Sequence, residues 1–288
     1  MIVWIETFIN GITLGALYGL FGLGLSLSLG VMRMINIAHG DLIVLGAYLA
    51  SIVMAALHCG PFTSLLIVLP VMFCIGWLLQ RCLLNFVVGL DPLAPLLLTF
   101  GLSIVLQNLL QEIFTADTRS LPSGDISLAG LQLGGVSLGL LPVLTTVISV
   151  LVFAAVSLLL SRTSVGRQAR AVADDLSTAR LVGIDGHRFF ALVTGFIMVA
   201  VSLASVLYGI RAPFSPTSGP ERLLYSFEAV VLGGLGNVWG TLLGGMAIGI
   251  AQLMGAKVNA SLGPFFGHLV FLVALIVRPQ GLFSRAKS

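Results

Sequence analysis

The sequence predicts an all-α polytopic integral membrane protein with about eight or nine spans, and three observations predict it. Hydrophobic residues make up 58% of the 288 positions and charged ones only 9%, with a mean hydropathy of +1.10. A soluble domain of that make-up would present a mostly apolar surface to water. Apolar runs of roughly 20 residues, the length that crosses a bilayer core, recur along the chain. One long polar passage, residues 162–188, stands apart from segments that carry no charge.

The elements follow in order. The opening Met-Ile-Val-Trp-Ile-Glu-Thr has no Lys or Arg before its apolar run, and no small-residue cleavage site follows. It is therefore read as the start of the first span, not as a leader. Phe8 to Gly30 is that span, with Gly11, Gly15, Gly19, Gly22 and Gly24 spaced to let another helix approach closely. Val31 to Asp41 then places polar groups between two apolar runs with almost no room for a loop. Leu42 to His58 is the second span. Ser64 to Gln80 is the third, entered by a turn at Pro61 and ended at Arg81. Leu93 to Phe114, reached through Asp91-Pro92, is the fourth. Thr115 to Gly139 is a loop holding Pro122, Ser123, Gly124 and Asp125, and its Leu-alternating part reads as a small hairpin or a partly buried lid. Leu140 to Ser161 and Phe189 to Tyr208 flank the polar passage as spans five and six. Arg211 to Arg222, with Pro213, Pro216 and Pro220, reads as a stiff external connection. Leu223 to Ala256 is longer than one untilted span needs, and its central glycines predict a broken helix. Pro264 to Val277 closes the membrane part before a basic tail at Arg278, Arg285 and Lys287.

Charge fixes the orientation. Five of the 14 Lys and Arg residues, Arg162, Arg167, Arg170, Arg180 and Arg188, fall in the polar passage and place it in the cytoplasm. Alternation from there puts the N-terminus outside. The basic C-terminus reaches the cytoplasm only if 223–236 is a short crossing of its own, followed by another at 238–256. The net charge of +3 and pI near 9.0 do not imply nucleic acid, because the basic residues sit at the ends of apolar runs and form no patch. Cys59, Cys74 and Cys82 lack metal spacing and read as packing residues.

Within the passage, Ser164 to Gly183 suits a short amphipathic helix. Ser164 can cap it, Ala169, Ala173, Leu176 and Ala179 fall at three- and four-residue steps, and Gly183 can end it. Two readings fit: a helix that meets a cytosolic partner, or a solvated linker.

Two further stretches carry polar or glycine-rich chemistry inside the membrane part. Asn36-Ile37-Ala38-His39-Gly40-Asp41 gathers an amide, an imidazole and a carboxylate at a helix boundary, where unpaired polar groups cost several kcal/mol each. It is either a broken-helix site on a transport path, or a joint beside it, or an interfacial turn in which Asp41 caps the next helix and His39 is satisfied. Gly233-Gly234-Leu235-Gly236-Asn237, running on to Gly245, is either a close helix interface or a break lining a pathway. It lacks the Gly-Lys-Ser or Gly-Lys-Thr ending of a phosphate loop. Glu228 lies just before it in an apolar setting, where an ionisable group is a functional candidate. No nucleophile, acid and base come together, since His39, His58, His187 and His268 are scattered. An enzyme is not expected.

These motifs resemble one family. Arg33 to Asp41, Gly166-Arg167 with Arg170-Ala171, Ala179 to Ile184, Glu228 to Gly245 and Pro279-Gln280-Gly281-Leu282 are similar, in order and along nearly the whole chain, to the permease subunit of bacterial branched-chain amino-acid ABC uptake systems. Ile37 stands where that family usually has Phe, and Asn237 where Ser is common. The resemblance implies a multi-pass protein of the bacterial inner membrane in which 1–288 form one permease domain and 162–188 its cytoplasmic coupling loop. It implies a second homologous permease, two cytosolic ATPases and an external substrate-binding protein as partners. No cofactor is expected in this chain, which has no Walker motif; ATP is used by the partners. On this resemblance Asn36, His39, Gly40, Asp41, Glu228, Gly233, Gly234, Gly236 and Asn237 belong to the pathway or its joints. Gly166, Arg167, Arg170, Ala171, Asp175 and Gly183 belong to ATPase coupling. Some relatives carry urea or short amides. An ATP-independent carrier is the other class, and it would need coupling carboxylates within the spans, where only Glu228 and Asp41 qualify.

Overall fold

The computed structural model describes residues 2–91, 93–122, 124, 129–133 and 136–283. Expectations resting on Pro92, Ser123, Asp125, Arg285 and Lys287 lie outside the described residues. The helices are α1 Ile2–Met32, α2 His39–Leu57, α3 Pro61–Cys82, α4 Leu93–Phe114, α5 Leu140–Arg162, α6 Ser164–Asp174, α7 Leu176–Leu181, α8 Gly186–Arg211, α9 Gly219–Gly233, α10 Val238–Val258 and α11 Gly263–Val277. Among the described residues, eight helical segments are long and apolar enough to cross a membrane, and α9, at 15 residues, is not one of them. The loop after α4 forms a hairpin, β1 Gly130–Leu133 against β2 Val136–Gly139, antiparallel with Gly130 opposite Gly139. Ser137 N donates to Glu6 Oε1 at 2.9 Å, which ties the hairpin to the start of α1.

The interior is an apolar core that also encloses small polar side chains, and the outer surface is oily. Ser64, Gln80, Thr99, Thr145, Ser149, Ser202, Ser205 and Thr241 are fully buried, whereas Leu66, Leu97, Leu151 and Ile276 are exposed where lipid would lie. Most of the buried hydroxyls are satisfied locally: Thr145, Ser202 and Ser205 each donate to the carbonyl four residues earlier. At the centre lie α1 and α8, mostly buried, while α3, α4, α5 and α11 form an outer layer. The exposed Cys74 and Cys82 belong to that layer, so only the half-buried Cys59 fits the reading as a packing residue.

Small residues set a close seam between α1 and α10. Along α1 and α10, Gly11 meets Ile250, Gly15 meets Met246, Gly19 meets Leu242 and Gly30 meets Gly236, so the two helices run antiparallel. A Cβ on Gly245 would fall on Gly19 N and Gly15 O, atoms that cannot move aside. Close backbone approach of this kind replaces the hydrophobic drive that lipid removes.

The contacts also give each helix its direction. Arg33, Arg81, Arg278 and the five arginines of 162–188 gather at one end, which the positive-inside rule places in the cytoplasm. Lys257 lies at the other end, and α11 returns the chain to the basic end, as the parity argument required. Three expectations change in detail. The glycines at 233–240 do interrupt the helical run, between α9 and α10, but as a tight turn. They turn the chain at the basic end, where Gly236 packs on Gly30 near the end of α1. Residues 211–222 are not wholly external, because Pro220 and Arg222 already belong to α9. Finally, α9 is a partial crossing, and its first residue lies within the membrane layer.

Candidate functional site

Two chain re-entries meet inside the protein. After α1 ends, Arg33 adopts left-handed backbone with φ 52°, and residues 33–38 fold back along α1. Asn36 Oδ1 accepts from Ala38 N at 3.0 Å and closes this turn. Ile37 N donates to Thr99 Oγ1 of α4 at 3.1 Å. His39 Nε2 lies 2.8 Å from the carbonyl of Phe21; a carbonyl only accepts, so Nε2 carries the proton. Phe21 stands eleven residues before the end of α1, roughly 16 Å up at 1.5 Å per residue. That bond therefore lifts the start of α2 well into the membrane layer.

The start of α9 sits against it. A Cβ on Gly40 would overlap the carbonyl of Gly219, and a Cβ on Gly219 would overlap Asp41 Oδ1. Asp41 Oδ2 accepts from Ser103 Oγ at 2.5 Å, and Ser103 Oγ in turn accepts from Gln107 Nε2 at 3.1 Å. Asp41 Oδ1 is buried without a hydrogen-bond partner among the described residues. The carboxylate does not cap its own helix, because Ala38 holds the N-cap position and Asp41 lies in the first turn. It instead sets its carboxyl group against the first residue of α9. The structure thus joins Asn36, His39, Gly40 and Asp41 to α1, α4 and α9, and most of their polar groups are spent within the chain.

Glu228, further down α9, pairs with His268 of α11 at 2.6 Å, and its other oxygen has no hydrogen-bond partner among the described residues. Tyr225 stacks on His268 at 5.6 Å and on Tyr18 at 4.2 Å, and Tyr18 donates to Gln252 Oε1 at 2.8 Å. Below this cluster the glycine run forms a compact hairpin. Gly233 packs on Gly240, while Gly234 and Gly236 have positive φ of 93° and 75°. Asn237 Oδ1 caps α10 by accepting from Gly240 N at 3.1 Å, and Asn237 Nδ2 donates to Phe283 O at 2.8 Å. Leu282 N donates to Leu232 O at 2.8 Å, which docks the tail beneath α9.

The polar passage is two helices, not one. The side chain of Thr163, not Ser164, caps α6 by accepting from Gly166 N. Asp175 breaks the run and caps α7 with Oδ1 accepting from Ser177 N at 2.8 Å. The Ser177 and Thr178 hydroxyls, followed by their backbone N–H groups, hold the Asp175 carboxyl well below the usual range. Gly183, at φ 86°, ends the segment in a conformation that a side chain would strain. Gly166 packs against the Leu160 carbonyl, and Arg170 Nη1 donates to that same oxygen at 2.6 Å. Those two residues fasten α6 to α5. Arg180 Nη2 lies 3.1 Å from His187 Nε2 at the start of α8. Ala171 is half-buried, and Arg167 faces out.

Sequence reasoning passed over Ser103, Gln107 and Thr99, which lie on an apolar span with no local signal beyond their polarity. It also passed over His268 as the partner of Glu228, since forty residues separate them. Among the described residues no three His, Cys, Asp or Glu side chains are placed to share a metal ion.

A family model described as the permease component of branched-chain amino acid transport systems matches residues 7–277. The high-affinity branched-chain amino acid permease protein BraD of Pseudomonas aeruginosa is 28% identical, covering 98% of this chain and 96% of its own. LivH of Escherichia coli is 29% identical with the same coverage, and a probable LivH of Methanocaldococcus jannaschii is 25% identical over 91% of this chain and 87% of its own. No solved structure gives a significant match. With nearly its whole length matched, and its re-entrant turn, glycine hairpin and basic passage in the expected order, the chain belongs to the family of branched-chain amino acid transport permease components.

Proposed function

We propose that this chain forms half of the membrane pathway of an ATP-driven importer that carries branched-chain or chemically related amino acids through the bacterial inner membrane. It is a transport subunit. In this reading a second homologous permease supplies the other half, and an external binding protein delivers the substrate. Two cytosolic ATPases bind and hydrolyse ATP, and this chain holds no cofactor. Residues 1–288 act as one permease domain with 162–188 as its cytoplasmic coupling loop.

The observation that carries the coupling role is the tip of that loop. Leu181 and Val182 are 87% and 73% exposed, beside arginines that keep the segment in water. An apolar pair held out in water marks a protein contact. Behind the tip, Arg170 and Gly166 fasten α6 to α5, and Arg180 reaches the first turn of α8. A push from a closing ATPase pair would therefore reach two spans at once. Arg167 is the outward charge that such a partner would meet, while Ala171, Asp175 and Gly183 shape the element. The Asn36–Asp41 turn and the Gly233–Asn237 turn serve as joints at the two ends of α9, about which the pathway changes access.

The test is substrate-stimulated ATP hydrolysis by the assembled transporter in liposomes. Each buried Val or Leu side chain contributes roughly 1.5–3 kcal/mol, so Leu181→Asp with Val182→Asp should weaken ATPase docking on the order of a hundredfold. Uptake should stop while the binding protein still docks on the opposite face. Uptake without ATP, or normal coupling in the double variant, would refute the proposal.

A further inference from the structure

A cavity of about 260 Å³ opens at the basic end between the last turn of α3 and the first turn of α8, and the transport reading leaves it unused. Trp77, Arg81, Asn85, Asp185, His187 and Arg188 line it. Its walls are cross-linked. Gln80 Oε1 accepts from Thr194 Oγ1 at 2.8 Å, Gln80 Nε2 donates to Asn85 Oδ1 at 3.0 Å, and Asn85 Nδ2 donates to the His187 carbonyl at 3.2 Å.

The cavity carries an excess of positive charge. Two guanidinium groups face one carboxylate, with Arg188 Nε 3.0 Å from Asp185, and Arg180 stands behind His187. Arg81 lies 5.0 Å over the Trp77 ring, an aromatic placed where interfacial belts form. On the bilayer side the same α3–α8 seam continues as an apolar strip. Leu192 and Phe196 are about half exposed there, and Phe196 meets Phe73 of α3 edge-on at 5.5 Å.

A basic mouth at the cytoplasmic interface and an apolar seam running from it into the bilayer fit one molecule with both characters. We propose that this cavity binds an anionic phospholipid, its phosphate between Arg81 and Arg188 and an acyl chain along Phe73, Leu192 and Phe196. A free phosphate ion shares the headgroup chemistry but makes no use of the seam. Bound lipid would bridge α3 to α8 directly beside the coupling loop.

Purified full-length protein, stripped of lipid in detergent, is titrated with phosphatidylglycerol, phosphatidylcholine or sodium phosphate, and retained ligand is counted by native mass spectrometry. Phosphatidylglycerol should be retained in preference to phosphatidylcholine. Arg81→Gln with Arg188→Gln should weaken it on the order of tenfold or more. The paired Arg→Lys changes should keep most of the binding, and Lys257→Gln at the opposite end should leave it unchanged. Should the double variant fail to fold, Arg188→Gln alone carries the test, because that side chain is 82% exposed and its loss opens no core. Equal retention of phosphatidylcholine, unchanged binding after loss of the arginines, or displacement of the lipid by phosphate would overturn the proposal.

Discussion

Asp41 depends on a neighbour that only the fold supplies. Its Oδ2 takes the Ser103 hydroxyl hydrogen bond from α4, and its Oδ1 presses on the first residue of α9 without a hydrogen bond of its own among the described residues. Removing the hydroxyl leaves a buried carboxylate short of donors, a loss of about 1–3 kcal/mol. Ser103→Ala should accordingly lower the thermal unfolding midpoint of the purified protein and reduce uptake. Asp41→Asn combined with Ser103→Ala should cost less than the two single changes summed, by more than about 0.5 kcal/mol. Strict additivity would mean that the pair carries no coupling energy. Asp41 was legible in the sequence as a polar residue at a helix boundary. Ser103 was not, since a serine on a lipid-facing span has many uses and no local pattern separates them.

At the scale of the helix, the α1–α10 seam is an unforgiving contact. Gly15, Gly19, Gly245 and Gly249 bring two backbones together where no side chain fits. Overpacking a rigid seam costs about 1–3 kcal/mol, and backbone atoms on both sides leave no room to relax. Gly245→Val should reduce the folded yield in the membrane and lower the unfolding midpoint. Gly101→Val on α4 should be tolerated, because nothing lies within 4 Å of the position its Cβ would take. Comparable losses for both would show that glycine content, not close approach, governs these helices. The glycine spacing of α1 was visible in the sequence, but the surface that α1 meets was not.

Across the whole molecule, direction alternates from helix to helix, and α9 decides the side on which the chain ends. Cysteine probes in a background lacking Cys59, Cys74 and Cys82 read this directly. Lys257→Cys should react with an impermeant reagent from outside, and Gln280→Cys only after the membrane is opened. The reverse labelling would remove α9 as a partial crossing. The same topology places the cavity at Arg81 and Arg188 and the tip at Leu181 on one side, so the lipid and coupling proposals stand on a shared orientation.

The sequence by itself determined what depends on local transfer energy: the spans, their approximate ends, the side that the arginines choose, and the polar passage with its glycine stop at Gly183. Span four, read as Leu93 to about Phe114, is α4 Leu93–Phe114. The tertiary structure alone decided that Phe214 is buried and pairs with Arg119, that Gly40 and Gly219 meet, that Glu228 finds His268, and that the glycine interruption after Leu232 is a turn at the basic end. Hydropathy sums each residue's preference for lipid over water along a window. Those four outcomes depend on which buried groups find partners tens of residues away, a choice settled by packing and hydrogen bonding in a medium with no water to satisfy them.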